Sequence, residues 1–156
     1  NSELTSMSQN IILRQAEKKD LPAILQLVQE LAVFEKEPDA VTARLSDYED
    51  AYSSGLIGCH VLELDASIIG MALYYETFST WKGKMLYLED FFVKEDYRGR
   101  GYGSMLFDAF IEEGKARGCA LLKWQVLDWN KGAIEFYKAR EAIIEDEWLN
   151  GKLFLR

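Results

Sequence analysis

The sequence predicts an α/β domain built on one mixed, mostly antiparallel sheet flanked by helices on both faces. Three observations carry this reading. Strand-like runs outnumber helical ones, in the order β-α-α-β-β-β-α-β-α-β-β. The three central strands are joined by short turns that suit antiparallel neighbours. Helical runs stand before, between and after the strands, spaced to cover two faces of a sheet. No repeat, low-complexity stretch or linker interrupts the chain, so residues 7–156 are expected to form a single domain.

The elements follow in order. "NIILRQA" reads as a short strand, and Asp20 is placed to cap the helix "DLPAILQLVQELAVFEKE", with Pro22 tolerated in its first turn. A weaker helix, "LSDYEDAYSS", stops at Gly55. Three strands come next, "IGCHVLELD", "SIIGMALYYETF" and "KMLYLEDFFVKE", separated by turn signals at Asp65-Ala66 and "STWKGK". "SMLFDAFIEEGKARG" is an amphipathic helix, "ALLKWQVLD" a strand, and Asn130 caps "KGAIEFYKAR". The last stretch, "IIEDEWLNGKLFLR", has Asn150-Gly151 where a tight hairpin turn belongs.

Bulk properties narrow the function. A chain of 156 residues can hide roughly 70% of its unfolded surface in one core. No apolar run is long enough to span a bilayer and no secretory signal is visible, so a cytoplasmic protein without a membrane partner is expected. Residues 1–6, "NSELTS" before Met7, read as a leftover of expression or a disordered start. The formal charge of −8 argues against nucleic acid and would draw a small polycation into an acidic cleft. Cys59 and Cys119 make no disulfide framework, and with one histidine they make no zinc site; no metal is expected. Cys59 and His60 adjoin on a strand, so their side chains point to opposite faces and form no nucleophile pair.

The most telling stretch is "DYRGRGYGSML", where three glycines alternate between a strand and a helix. Helix N-termini expose N–H groups and a partial positive charge, and glycine both permits the turn and lets an anion approach. Arg98 and Arg100 add positive charge, so the reading is a diphosphate cradle. The dinucleotide pattern fails because Leu106 stands where its third glycine belongs, and no Gly-Lys-Ser/Thr completes a P-loop; pure nucleotide binding is thereby disfavoured. What fits is Arg/Gln-x-x-Gly-x-Gly/Ala, as Arg98-Gly99-Arg100-Gly101-Tyr102-Gly103.

With that loop between a strand and a helix, the chain resembles the GNAT superfamily of acetyl-CoA-dependent N-acetyltransferases. "GKMLYLEDFFVKEDYRGRGYGS" and "WNKGAIEFYKAR", with "ELAVFEKE" and "LYYETFSTW", are similar to the spermidine/spermine (diamine) and thialysine N-acetyltransferase subfamily. The resemblance spans roughly residues 10–145. It implies a GNAT-type fold, acetyl-CoA as co-substrate, a small-molecule amine as acceptor, no metal and a homodimer.

Acyl transfer to an amine requires a free base, yet an alkyl ammonium with pKa about 10.4 is almost wholly protonated at neutral pH. Glu89 and Asp90 are two carboxylates inside an apolar strand, costly unless a cation meets them. Alternation sends them to opposite faces. The resemblance makes Glu89 the substrate-side carboxylate that relays the proton through water, with Asp90 in support. It makes Tyr137 the acid that protonates the departing thiolate. It also implies that Phe91, Phe92 and Val93 pair with the pantetheine arm, that the cradle through Ser104 holds the diphosphate, and that Asn130, Lys131, Gly132 and Ala133 meet the coenzyme from its other side. Phe34, Glu35, Trp81, Lys123, Trp124 and Gln125 match subfamily substrate positions. Glu35 and Trp81 suit a cationic chain, whereas Lys123 suits the carboxylate of a lysine-like amino acid such as thialysine. Ser79-Thr80 stand where polyamine-acetylating members carry an acidic residue, and Glu141 where relatives have a glycine. A non-catalytic acyl-CoA-binding sensor would keep the cradle but need neither Glu89 nor Tyr137.

Overall fold

The computed structural model describes residues 10–156; the predicted leftover at 1–6 lies outside the described residues. The described residues fall into two compact units, one up to Gln125 and one over 126–156.

The first unit holds a five-stranded sheet in the order β1-β2-β3-β4-β5. Its strands are β1 (Ile11–Gln15), β2 (Gly58–Leu64), β3 (Ser67–Ser79), β4 (Gly83–Val93) and β5 (Leu121–Trp124). Neighbours are antiparallel except β4 and β5, which are parallel. Helices α1 (Leu21–Phe34) and α2 (Leu45–Ser53) precede β2, and α3 (Tyr102–Ala116) joins β4 to β5.

Strand alternation sorts the core into two layers. Cys59, Val61, Met71, Leu73 and Phe92 meet Leu21, Ile24 and Leu27 of α1. On the other face Tyr74 and Phe91 meet Phe110 and Phe107 of α3, with ring centroids 6.0 and 5.7 Å apart. Burying one such side chain stabilises by about 1.5–3 kcal/mol. Cys59 and His60 do part to opposite faces: Cys59 joins the α1-side core, while His60 Nδ1 lies 2.9 Å from the Tyr74 hydroxyl on the α3 side.

Asp20 stands at the N-cap of α1 but makes no side-chain cap bond. Its buried carboxylate takes a bidentate pair from Arg14 of β1, at 2.7 and 3.0 Å, and the Glu17 N–H at 2.7 Å. Arg14 also donates to Glu63 of β2 at 2.9 Å. The anticipated cap thus serves as an ion pair fastening α1 to the sheet. At the β2–β3 turn, Asp65 and Ala66 have φ of 48° and 69°, the paired left-handed backbone a two-residue hairpin demands.

The second unit contains α4 (Lys131–Lys138), capped by the Asn130 side chain accepting from Ala133 N–H at 3.2 Å. The chain after Glu141 forms no helix or strand, so the hairpin expected at Asn150-Gly151 is absent. Ile143, Leu149, Leu153, Phe154 and Leu155 are all more than four-fifths exposed. An isolated pair of strands with no third strand or helix to cover its apolar face is marginal in water, which accounts for the missing turn.

Candidate active site

β4 does not alternate throughout. Leu73 pairs with Asp90 but Tyr74 pairs with Leu88, so Glu89 is one extra residue on β4. Such a bulge resets the phase of everything after it. Leu88, opposite Tyr74, faces α3; strict alternation would send Asp90 there too. Instead Asp90 lies opposite Leu73 on the α1 face, and the Tyr75 hydroxyl, also on that face, donates to Glu89 Oε1 at 3.0 Å. The expectation of opposite faces is therefore corrected: the bulge turns both carboxylates to one side of the sheet.

Around them stand groups that the sequence did not single out. Tyr75 stacks on Tyr87 with ring centroids 5.4 Å apart. Tyr48 of α2 feels the charges of both Asp90 and Glu89, which with burial push its phenol up to about 12. Burial, then the charges of Glu89 and Glu35, lift Asp90 from 3.8 to about 7. Burial also raises the Glu35 carboxyl at the end of α1. Three acids thus crowd one half-buried, tyrosine-lined face, and the local chemistry favours a cationic guest. The sequence signal was the phase itself: Leu86 and Leu88 point to the α3 core, so Asp90 two residues on would have intruded there.

Past this pair the sheet opens. Pairing of β4 with β5 runs from Met85–Leu121 to Leu88–Trp124 and ends, whereas β4 continues through Phe91, Phe92 and Val93. An extended, amide-bearing ligand could take the strand position so left.

The glycine loop follows after a 3-10 turn at Glu95–Tyr97. Gly99 and Gly101 have φ of 76° and 84°, and Gly101 is the N-cap of α3. A Cβ on either would meet nothing within 4 Å, so it is the left-handed backbone that demands glycine here. The helix starts at Tyr102, earlier than the expected Ser104, and takes Gly103 and Ser104 into its first turn, where amides point out along the axis. Neither arginine side chain simply adds charge. Arg98 Nε donates to the Val93 carbonyl at 2.9 Å, and Arg100 donates to the Asp96 carbonyl at 3.4 Å with its guanidinium 5.5 Å from the Tyr97 ring centroid.

The remaining substrate candidates divide. Phe34 and Glu35 close α1 near the carboxylates, and Lys123 pairs with Tyr87. Trp124 instead packs edge-on against Phe107 at 5.3 Å, in the α3-side layer. Trp81 is 83% exposed in the β3–β4 turn, and strand rise puts Gly83, just beyond it, about 20 Å from Glu89. The expected grouping of Trp81 and Trp124 with Glu89 within one chain is thus not observed. Gln125 is exposed at the end of the first unit. In the second unit Asn130 to Ala133 stand at the start of α4, and Tyr137 is buried, edge-on to Phe136 at 5.6 Å.

Comparison with known proteins decides the family. Residues 21–141 match the family described as "Acetyltransferase (GNAT) family". The chain belongs to it. It is an acyltransferase, and relatives it matches carry the names of the subfamily that the motifs resemble. The bovine (Bos taurus) thialysine N-epsilon-acetyltransferase is 38% identical over 143 residues, covering 83% of this chain and 82% of the relative. The human (Homo sapiens) spermidine/spermine N(1)-acetyltransferase-like protein 1 is 33% identical over 140 residues, covering 84% of this chain and 20% of that protein. Among solved structures, the aminoglycoside N-acetyltransferase AAC(6')-Iy in complex with CoA superposes with a TM-score of 0.78 at 19% identity, covering 92% of this chain and 95% of that one. This last likeness establishes the shared GNAT fold. No helix among the described residues is long and apolar enough to cross a membrane. Among those residues no cluster of three or more His, Cys, Asp or Glu could hold a metal ion.

Proposed function

We propose that the protein is an acetyl-CoA-dependent N-acetyltransferase that moves an acetyl group to the primary amine of a small diamine or polyamine by direct transfer in a ternary complex. The observation that carries this reading is the bulge that brings Glu89 and Asp90 to one tyrosine-lined face with Glu35 nearby. Acids so crowded are stabilised by an alkyl ammonium, and the same groups can accept its proton, directly or through water. The thioester arm lies along Phe91 to Val93, the diphosphate at the turn of Gly99 to Ser104 and at the start of α4, and Tyr137 protonates the leaving thiolate. An ordinary phenol is close enough in acidity to an alkyl thiol for a proton transfer of this kind to be nearly balanced. The chain acts as one catalytic domain over residues 7–156, in the cytoplasm and as a homodimer.

A lysine-like amino acid such as thialysine is the second reading. Relatives named for thialysine acetylation favour it, and Lys123 beside Tyr87 offers its carboxylate a cation. One experiment separates the two: thiol release from acetyl-CoA over putrescine, spermidine, spermine, lysine and thialysine. Turnover confined to the diamines and polyamines supports the first reading, and turnover of thialysine alone the second. Acetylation of aminoglycosides or protein N-termini only would overturn both. Coenzyme binding with no release for any amine would point to a sensor.

A further inference from the structure

We propose that Arg98 is a positioning residue that ties the glycine loop to the C-terminal end of α1, coupling the coenzyme side of the site to the amine side. The proposal rests on the functional reading above and goes beyond it.

Arg98 belongs to the motif whose residues are read as a diphosphate cradle, yet its exposed side chain folds back over the end of β4. Its Nε donates to the carbonyl of Val93, the last residue of β4. Its guanidinium carbon lies 4.9 Å from the ring centroid of Phe34 and 5.2 Å from that of Phe92. Phe34 is the last residue of α1, and Glu35 follows it directly. Glu35 in turn contributes to raising the Asp90 carboxyl. A path therefore runs from the left-handed turn at Gly99 through Arg98 to Phe34 and the adjoining Glu35, whose charge reaches Asp90.

The chemistry of this link is particular to arginine. A phosphate partner needs only a cation, which lysine also supplies. Sitting over two rings while donating from Nε calls for the delocalised guanidinium, because lysine has no Nε–H at that place on its stem. An anion that orders the glycine loop orders Arg98, and Arg98 then fixes Phe34 and Glu35. By thermodynamic linkage, an amine that orders Glu35 must tighten the coenzyme by the same factor.

The test is calorimetric titration of coenzyme A into the full chain, alone and with saturating spermidine, and again with thialysine. The readout is the ratio of the two dissociation constants. In the wild type, at least one of these amines should tighten coenzyme A by about fivefold or more. In Arg98→Lys the ratio should fall to about one, whatever the affinity for coenzyme A alone becomes. Phe34→Leu, which leaves the glycine loop untouched, should abolish the ratio equally, and the double variant should lose nothing more. A wild-type ratio of one with both amines overturns the coupling. So does a ratio that survives in either single variant; in Arg98→Lys that result, with weakened coenzyme A, would make Arg98 a phosphate ligand and nothing else. Absence of any wild-type heat with coenzyme A would overturn the functional reading itself, a separate outcome.

Discussion

Asp90 is lifted to about 7 chiefly by burial, and this carries a stability consequence that can be worked through. Its folded-state value lies above the unfolded one near 3.8, so between about pH 4 and pH 7 the folded protein holds a proton that the unfolded chain has released. Stability therefore falls as pH rises through that window, and the penalty is complete above about pH 7. A shift of about 3 units, at about 1.36 kcal/mol each, sets an upper limit of about 4 kcal/mol. Relaxation and water at a half-buried site will reduce this to roughly 2 kcal/mol. Asp90→Asn removes the charge and keeps the shape. Urea unfolding of both proteins should give equal stabilities at pH 4 and a gain of roughly 2–4 kcal/mol for the variant at pH 8. In a thermal scan this is a rise of about 2–4 °C per kcal/mol. Saturating spermidine at pH 8 should narrow the gap, because a bound cation favours the ionised carboxylate of the wild type. Parallel stability curves from pH 4 to pH 8 would refute the assignment of an uncompensated charge to this position.

Four further outcomes are expected. Asp20→Ala leaves Arg14 without its bidentate partner and should cost about 3–5 kcal/mol at pH 7 by urea unfolding. Arg14 holds the Asp20 carboxyl below its usual range, so that loss should shrink as pH falls through the folded value; a constant cost down to pH 2 would contradict it. Glu141 has φ of 64° after α4, and Glu141→Gly should stabilise by about 0.5–1 kcal/mol in the same assay, with no gain refuting the strain. Tyr75→Phe removes the donor to Glu89 and should lower turnover about tenfold with coenzyme A affinity unchanged in calorimetry; full activity would show that Glu89 needs no such anchor. Tyr137→Phe should depress kcat while sparing coenzyme affinity, and an unaltered kcat would remove Tyr137 from the reaction.

Much of the fold was legible because it obeys local periodicity. The helices at Leu21–Phe34 and Tyr102–Ala116 show their apolar stripes plainly, and the three central strands are bounded by turn residues. The glycine loop was legible for the same reason: two left-handed positions in a row of alternate glycines leave a mark in composition. What escaped is long-range. The partner of Asp20 is Arg14, whose approach depends on how β1 meets α1, and no capping rule contains that. Tyr48, Tyr75 and Tyr87 come from three elements and share a face only once the sheet is built. The tail forms no strand, because strand formation needs a covering neighbour, which an Asn-Gly turn by itself does not supply.

The bulge at Glu89 shows how one residue links both halves of the proposed chemistry. Without it, continued alternation from Leu88 would put Asp90 and Phe92 toward α3 and Phe91 toward α1. With it, Phe91 meets Phe107, Phe92 lies beneath Arg98, and Asp90 faces Glu35. The same slip of phase therefore seats the acid and supplies one of the two rings that hold the glycine loop. Deleting Glu89 takes out the extra residue itself: Asp90 then follows Leu88 directly, and plain alternation leaves every later side chain of β4 on its present face. Glu89→Ala, which keeps the extra residue, removes the carboxylate alone. Comparing the two separates the carboxylate from the bulge: both variants should fold, bind coenzyme A and lose turnover, because both lack the acid and keep the phase of the strand. If the deletion lost the coenzyme A affinity that Glu89→Ala keeps, the bend of the bulge, and not the phase of the strand, would be what holds the loop.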